Sequence, residues 1–171
     1  DYVKSVITMV SELEGEIVTL VPATVGKVTP DATPEEEWKW VVDATRECFA
    51  HSQKMGVRIA VEPLNRFETY LFNRCAQALA LADAVSPECG VCLDAYHLNM
   101  EETNIYDAIR LAGKRLFDFH VADNNRFAAG LGHLDWPKII GTLKEIGYDG
   151  AVTNEFVAPV DRTPAAPYPE M

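Results

Sequence analysis

In RIAVEPLNRFE (58–68) an apolar run ends on a carboxylate, Glu62, and the polar turn that follows carries a second, Glu68. A strand buried on both faces has no cheap place for a charge except at its end, where the loop opens to ligand or solvent. The arrangement recurs downstream. VCLDAYH ends on Asp94 and His97, LFDFH on His120, and AVTNEF delivers Glu155. Glu62, Asp94, His120 and Glu155 together offer three oxygen ligands and one nitrogen ligand. Such a set suits octahedral Mn²⁺, Mg²⁺ or Co²⁺ better than structural Zn²⁺, which favours Cys and His. Four protein ligands leave two positions for two substrate oxygens, as chelation of a hydroxy-ketone requires. Singly, each residue has a plainer reading: a strand-end Glu is often a salt-bridge partner, and His120 could be a satisfied core histidine. Their repetition on four successive strands favours one shared divalent ion.

The elements that must position them follow from periodicity and capping. Val3, Val6, Val10 and Leu13 form one helical stripe in residues 1–14, closed by Gly15. A strand over 16–23 follows, then Thr33-Pro34-Glu35-Glu36, a capping box with Pro at the first helical position. The helix it opens turns Trp38, Val41, Val42 and Phe49 inward and stops near Gly56. A strand over 58–64 comes next, and Asn73 caps a helix rich in Ala and Leu that ends before Ser86-Pro87. A strand over 91–97 leads to a helix with Ile105, Ala108, Ile109 and Ala112, closed at Gly113. After a strand over 116–122 and a Gly-containing loop, Asp135 caps a helix bearing Ile139, Ile140, Leu143 and Ile146, ended by Gly147. The last strand spans 150–157, and the Pro-rich tail 158–171 has no periodicity.

Strand starts near 17, 58, 91, 116 and 151 are spaced by about 25–40 residues, against ~31 per unit in a (β/α)₈ barrel. A doubly wound sheet would share the alternation but would show a glycine-rich phosphate turn after its first strand, and none is present. Barrel enzymes also place their chemistry at strand C-termini, where these ligands fall. Residues 1–171 therefore read as one partial TIM-barrel domain, the C-terminal five-eighths (strands 4 to 8). Such an open sheet exposes its edges, so the expectation is a chain that is marginal alone, acting as a homo-oligomer or with a partner segment that completes the barrel.

Composition narrows the partners. With 26 acids against 15 bases the net charge is −11, which argues against a nucleic-acid surface or an anionic membrane face. No apolar run approaches the ~20 residues needed to span a bilayer. Four scattered cysteines do not make a disulfide scaffold, so a reducing compartment, the cytoplasm, is expected.

EPLNRFET, LDAYHLNMEE, HVADNNR and NEF resemble the four signature segments of the xylose-isomerase-like barrels. Among these the chain is most similar to the ketose 3-epimerases of the D-tagatose and D-psicose type, from about residue 16 to 157. The resemblance implies metal ligation by Glu62, Asp94, His120 and Glu155, and sugar contacts from Glu68, His97 and Arg126. It also implies an unphosphorylated or phosphorylated small sugar as substrate, with Mn²⁺ the first candidate ion and Mg²⁺ or Co²⁺ behind it. The scarcity of basic residues near the motifs favours the unphosphorylated form. A proton beside a ketone is too weakly acidic for a free carboxylate to remove. A divalent ion on both oxygens would stabilise the enediolate by several kcal/mol. Glu62 and Glu155, first and last of the ligand set, are the acid–base candidates, as the resemblance also implies. After Glu155 the chain departs from these epimerases, with VAPVDRTPAAPYPEM where they carry a glycine-bearing loop.

Two further readings stand beside the isomerase or epimerase. One is a lyase on a keto-sugar, of the dehydratase or deglycosidase type, and the other is a non-catalytic barrel subunit. Among residues outside the constellation, Cys89-Gly90-Val91-Cys92 is a CxxC with no second pair, read as core thiols. His133 reads as ordering its loop, Trp38 and Trp40 as packing rather than sugar-stacking, and His51 as surface. Glu35 to Glu37 and Glu101-Glu102 read as solvated helix starts helped by the dipole.

Overall fold

The computed structural model describes residues 1–157; the expected Pro-rich tail lies outside the described residues. Helix α1 (Tyr2–Glu12) leads to strand β1 (Ile17–Leu20), and α2 (Pro34–Met55) to β2 (Arg58–Val61). Then come α3 (Cys75–Val85), β3 (Gly90–Asp94), α4 (Ala95–Glu101), α5 (Ile105–Ala112), β4 (Leu116–Val121), α6 (Trp136–Glu145) and β5 (Ala151–Asn154). The five strands form one parallel sheet in sequence order. This is the half-barrel that the strand spacing implies.

Alternation along each strand divides the sheet into two faces. Ile59 and Val61, Val91 and Leu93, and Phe119 and Val121 turn to the helices, where they join Ile7, Val41, Val42, Leu81, Ile109 and Ile139 in the apolar core. Phe119 is fully buried there, and a burial of that kind contributes about 2–3 kcal/mol. The intervening residues, Ala60, Cys92, Asp118 and Thr153, lie on the inner face, each two positions before a strand-end ligand candidate. Register matters here. Val91 pairs with Leu116 but Cys92 pairs with Asp118, so β4 holds one extra residue, Phe117. That bulge sets Asp118 opposite Cys92 and His120 opposite Asp94. Gly90 makes room for it, because a Cβ there would stand 2.3 Å from the Phe117 ring.

Helices α2 and α6 start where the sequence says. Thr33 accepts from the Glu36 amide and Glu36 from the Thr33 amide, with Pro34 at the first position; such a cap is worth about 1 kcal/mol. Gly56 ends α2 in the left-handed region at φ 70°. Asn104 and Asp135 cap α5 and α6.

Several expectations need correction. The strand expected over 91–97 stops at Asp94, whose carboxylate accepts from the Tyr96 amide and starts α4 at once. The strands expected over 16–23, 58–64 and 150–157 are likewise shorter than their apolar runs. Asn73 does not cap α3; its side chain donates to the Leu64 and Thr69 carbonyls, and Gln77 accepts from the Asn73 and Arg74 amides instead. In α1 the buried residue is Ile7, while Leu13 is exposed, and Glu14 rather than Gly15 takes the positive φ. Trp38 and Ile140 are also more exposed than expected. Among the described residues no helix is long and apolar enough to cross a membrane.

Candidate metal centre

Glu62, Asp94, His120 and Glu155 each follow or close one of β2, β3, β4 and β5. The structure gathers one ligand atom from each of them so that all lie within 4.8 Å of one another. Glu62, Asp94 and His120 are buried, and Glu155 is partly exposed at the rim. His120 Nδ1 lies 2.8 Å from Glu155 Oε2 and 3.3 Å from Glu62 Oε1. Glu62 Oε1 is buried without a hydrogen-bond partner among the described residues. His120 Nδ1 lies near that oxygen without making a hydrogen bond to it, and a buried carboxylate oxygen left so is costly unless a further cation completes it. The donor set, three carboxylates and one imidazole converging at one point, fits a hard or borderline divalent cation.

The predicted substrate contacts surround this group. Arg126, in the loop after β4 at φ 63°, presses one guanidinium nitrogen on Asp94 Oδ2 and places the other 3.0 Å from Glu155 Oε2. Its guanidinium also lies over the Tyr96 ring, 4.6 Å from the centroid. His97 sits on α4 with Nε2 3.6 Å from Asp94 Oδ2. Its Nδ1 accepts from the Asn65 backbone amide at 3.2 Å, with the Asn65 side-chain amide at 2.8 Å. That contact leaves the hydrogen on Nε2, facing the site. Glu68 stands further out, 4.0 Å from His97, and accepts from Asn65 Nδ2 at 2.8 Å. Six of the seven expected residues thus meet directly, and Glu68 reaches them through Asn65.

Electrostatics follow the burial. Desolvation pushes the Glu62 carboxyl above its ordinary range against the pull of His120. It also raises Asp94, against the opposing Arg126 charge. Burial works against the imidazolium of His120, yet Asp118, Cys92, Glu155 and Glu62 outweigh it and hold His120 above its usual value. At Glu155 burial opposes ionisation, but His120 and Arg126 prevail and keep it low. Burial, aided by Arg126, brings His97 down to about 4, which keeps it neutral. The Cys92 thiol, also driven by burial, goes up to about 12.

Sequence reasoning missed the residues beneath and around the candidate ligands. Asp118 Oδ2 is 3.2 Å from His120 Nε2, and Thr153 Oγ1 donates to Asp118 at 2.9 and 3.1 Å. The signal was available: Asp118 precedes His120 by two on one strand, hence on one face. Asp123, fully buried, accepts from the amides of Asn124, Gly130 and Leu134 and from the Trp136 indole, fixing the loop that carries Arg126. Glu101 is no solvated helix start. It is buried at the end of α4 and holds Arg66 through both oxygens. Glu37 is buried too, accepting from Tyr70 Oη and the Asp31 amide. His133 ties its loop through its backbone amide, which donates to Asn124 Oδ1, and His51 is half-buried against Thr8.

Comparison with known proteins agrees with the motifs. A D-psicose 3-epimerase of Enterocloster bolteae is 40% identical over 111 residues, 64% of this chain and 37% of that protein. An L-ribulose 3-epimerase of Methylomonas sp. is 30% identical over 141 residues, 82% of this chain and 49% of that one. Among solved structures, an L-ribulose 3-epimerase superposes with TM-score 0.86 at 28% identity, covering 92% of this chain and 53% of its own. The chain thus spans about half or less of these relatives. The family model described as "Xylose isomerase-like TIM barrel" matches residues 1–170, and the chain belongs to that family.

Proposed function

We propose that Glu62, Asp94, His120 and Glu155 hold one divalent cation, Mn²⁺ ahead of Mg²⁺ or Co²⁺, in the site of a sugar 3-epimerase. The observation that supports this best is the convergence of four ligand atoms from four successive strands within 4.8 Å, with Glu62 Oε1 left unpartnered. The bound ion would supply the positive charge that makes the hydrogen beside a ketose carbonyl acidic.

The chain's own residues do the rest. Glu62 follows β2 and Glu155 follows β5, the first and last of the strands that carry the four residues, and two strands lie between them in the sheet. One carboxylate takes the proton from carbon and the other returns one to the opposite face, so the configuration inverts while the mass stays the same. His97, neutral with its Nε2–H toward the site, donates to a sugar oxygen. Arg126 is free to trade its carboxylate contacts for a substrate oxygen that gains negative charge. Glu68 accepts from a more distant hydroxyl. The relatives named are epimerases, which favours return of the proton over elimination, so the lyase reading is not carried forward.

The test is removal of bound metal with a chelator, re-addition of Mn²⁺, Mg²⁺ or Co²⁺, and assay on D-psicose, L-ribulose and other ketoses. Restored conversion to an epimer of equal mass supports the reading. Activity unchanged by the chelator, or a product lighter by water, refutes it.

A further inference from the structure

We propose that Cys92, with Glu62 and His120, forms a second metal site one layer deeper, suited to thiophilic divalent cations such as Cd²⁺ and Zn²⁺. Cys92 lies two residues before Asp94 on β3 and shares its inward face. Its Sγ, a Glu62 carboxylate oxygen and a His120 ring nitrogen all lie within 4.8 Å of one another, and all three residues are buried. Glu62 Oε1, which has no hydrogen-bond partner among the described residues, lies 3.3 Å from His120 Nδ1, a ring atom of this same group, and Glu62 is only 4% exposed. The other half of the CxxC takes no part. Cys89 belongs to the apolar core beneath the helices, its Sγ 3.9 Å from the Ile59 carbonyl oxygen.

The chemistry of the donors decides the ligand. Sulfur, nitrogen and oxygen from three side chains, with a fourth position for water, is an arrangement zinc accepts. Mn²⁺ and Mg²⁺ prefer oxygen and have little use for a thiol. Binding exchanges the S–H bond for a sulfur–metal bond, and the proton leaves to solvent. The site shares Glu62 and His120 with the four-residue centre and rests on that reading. Occupation of one withdraws ligands from the other, so a soft cation displaces the hard one instead of adding to it.

The experiment uses the whole chain, freed of metal. Cd²⁺ is titrated while the ultraviolet sulfur-to-cadmium charge-transfer band is followed, and Mn²⁺ is titrated separately by calorimetry. Wild type should develop the band with one equivalent of Cd²⁺, and Cd²⁺ should expel bound Mn²⁺. Cys92→Ser and Cys92→Ala should lose the band and bind Cd²⁺ at least ~10-fold more weakly, with Mn²⁺ affinity within about twofold of wild type. Cys48→Ser, which alters the one thiol that is not fully buried, should keep the band. A wild-type Cd²⁺ complex without the band overturns the proposal even if the Cys92 variants fail to fold. So does a band that persists in folded Cys92 variants or vanishes in Cys48→Ser. Failure of the four-residue reading looks different: Mn²⁺ would not bind wild type, while the cadmium band would still form.

Discussion

Asp118 Oδ2 stands 3.2 Å from His120 Nε2, on the side of the ring opposite the Nδ1 contacts with Glu155 and Glu62. In the metal-free protein both ring nitrogens face carboxylates, which favours the imidazolium; a divalent cation at the proposed centre would take the place of the Nδ1 proton, and the hydrogen left on Nε2 would donate to Asp118. Thr153 holds Asp118 in place in turn. Outer-shell carboxylates of this type commonly change metal affinity about 10–100-fold when removed. Asp118→Ala should therefore weaken Mn²⁺ binding by that factor in calorimetry. Because Asp118 also helps to hold the His120 proton in the metal-free protein, nitrogen chemical shifts of His120 followed against pH should show the ring losing that proton at lower pH in the variant. Unchanged affinity with an unchanged titration would leave Asp118 as packing only.

At the proposed centre Glu62 would couple function to stability. Its buried oxygen, without a hydrogen-bond partner among the described residues, is a cost that a bound cation would remove. Mn²⁺ at 100 times its dissociation constant should raise the unfolding free energy of wild type by about 2.7 kcal/mol. Glu62→Gln removes the buried charge, so its metal-free stability should equal or exceed that of wild type. The gain from Mn²⁺ should drop below about 1 kcal/mol because affinity is lost. Chemical denaturation with and without Mn²⁺ measures both quantities. A variant that keeps the full Mn²⁺ gain would remove Glu62 from the ligand set.

The four residues that the structure gathers were legible because a charge at or near the end of an apolar strand is a local signal. Glu62, Asp94, His120 and Glu155 all announce themselves this way. What surrounds them depends on register, which the sequence states only weakly. The extra residue Phe117 sets Asp118 opposite Cys92, and no one-strand pattern shows that pairing. The turn into α4 was missed because Asp94 both closes an apolar run and caps a helix, and an apolar Ala-Tyr start looks like more strand. Glu37 and Glu101 were misread for a related reason. Acidic residues in or near a helix usually face water, and only the partners Tyr70 and Arg66, brought in by loops, explain their burial.

Glu155 is the partly exposed member of the proposed acid–base pair, held by His120 and by Arg126. Glu155→Gln preserves shape but would remove both the proposed base and a proposed charged ligand. Loss of general acid–base action costs about 10²–10⁴-fold, so turnover of a ketose should fall by at least ~10³-fold with the ligand loss included. Exchange of the substrate's carbon-bound hydrogen with deuterated water should fall in parallel if Glu155 moves that proton. Rates at wild-type level in this variant would assign the proton transfer elsewhere.

Asp123 gives the loop after β4 a specific response to acid. Burial opposes its charge, but the Trp136 indole and the amides of Leu134, Asn124 and Gly130 prevail and hold its carboxyl below the usual range. Because the folded value is depressed, the stability Asp123 contributes is present above its unfolded value of about 3.9 and is lost as pH falls from there toward the folded value. Asp123→Asn removes that contribution and leaves buried donors poorly matched, at a cost of about 2–3 kcal/mol near neutral pH. The gap between wild type and variant in urea unfolding should be constant above pH ~5 and narrow as pH drops below ~4. The same variant should loosen Arg126, whose backbone amide donates to the Asp123 carbonyl at 2.9 Å, and so raise KM more than it lowers kcat. A stability gap that does not change with acid would mean that the Asp123 charge is not what holds the loop.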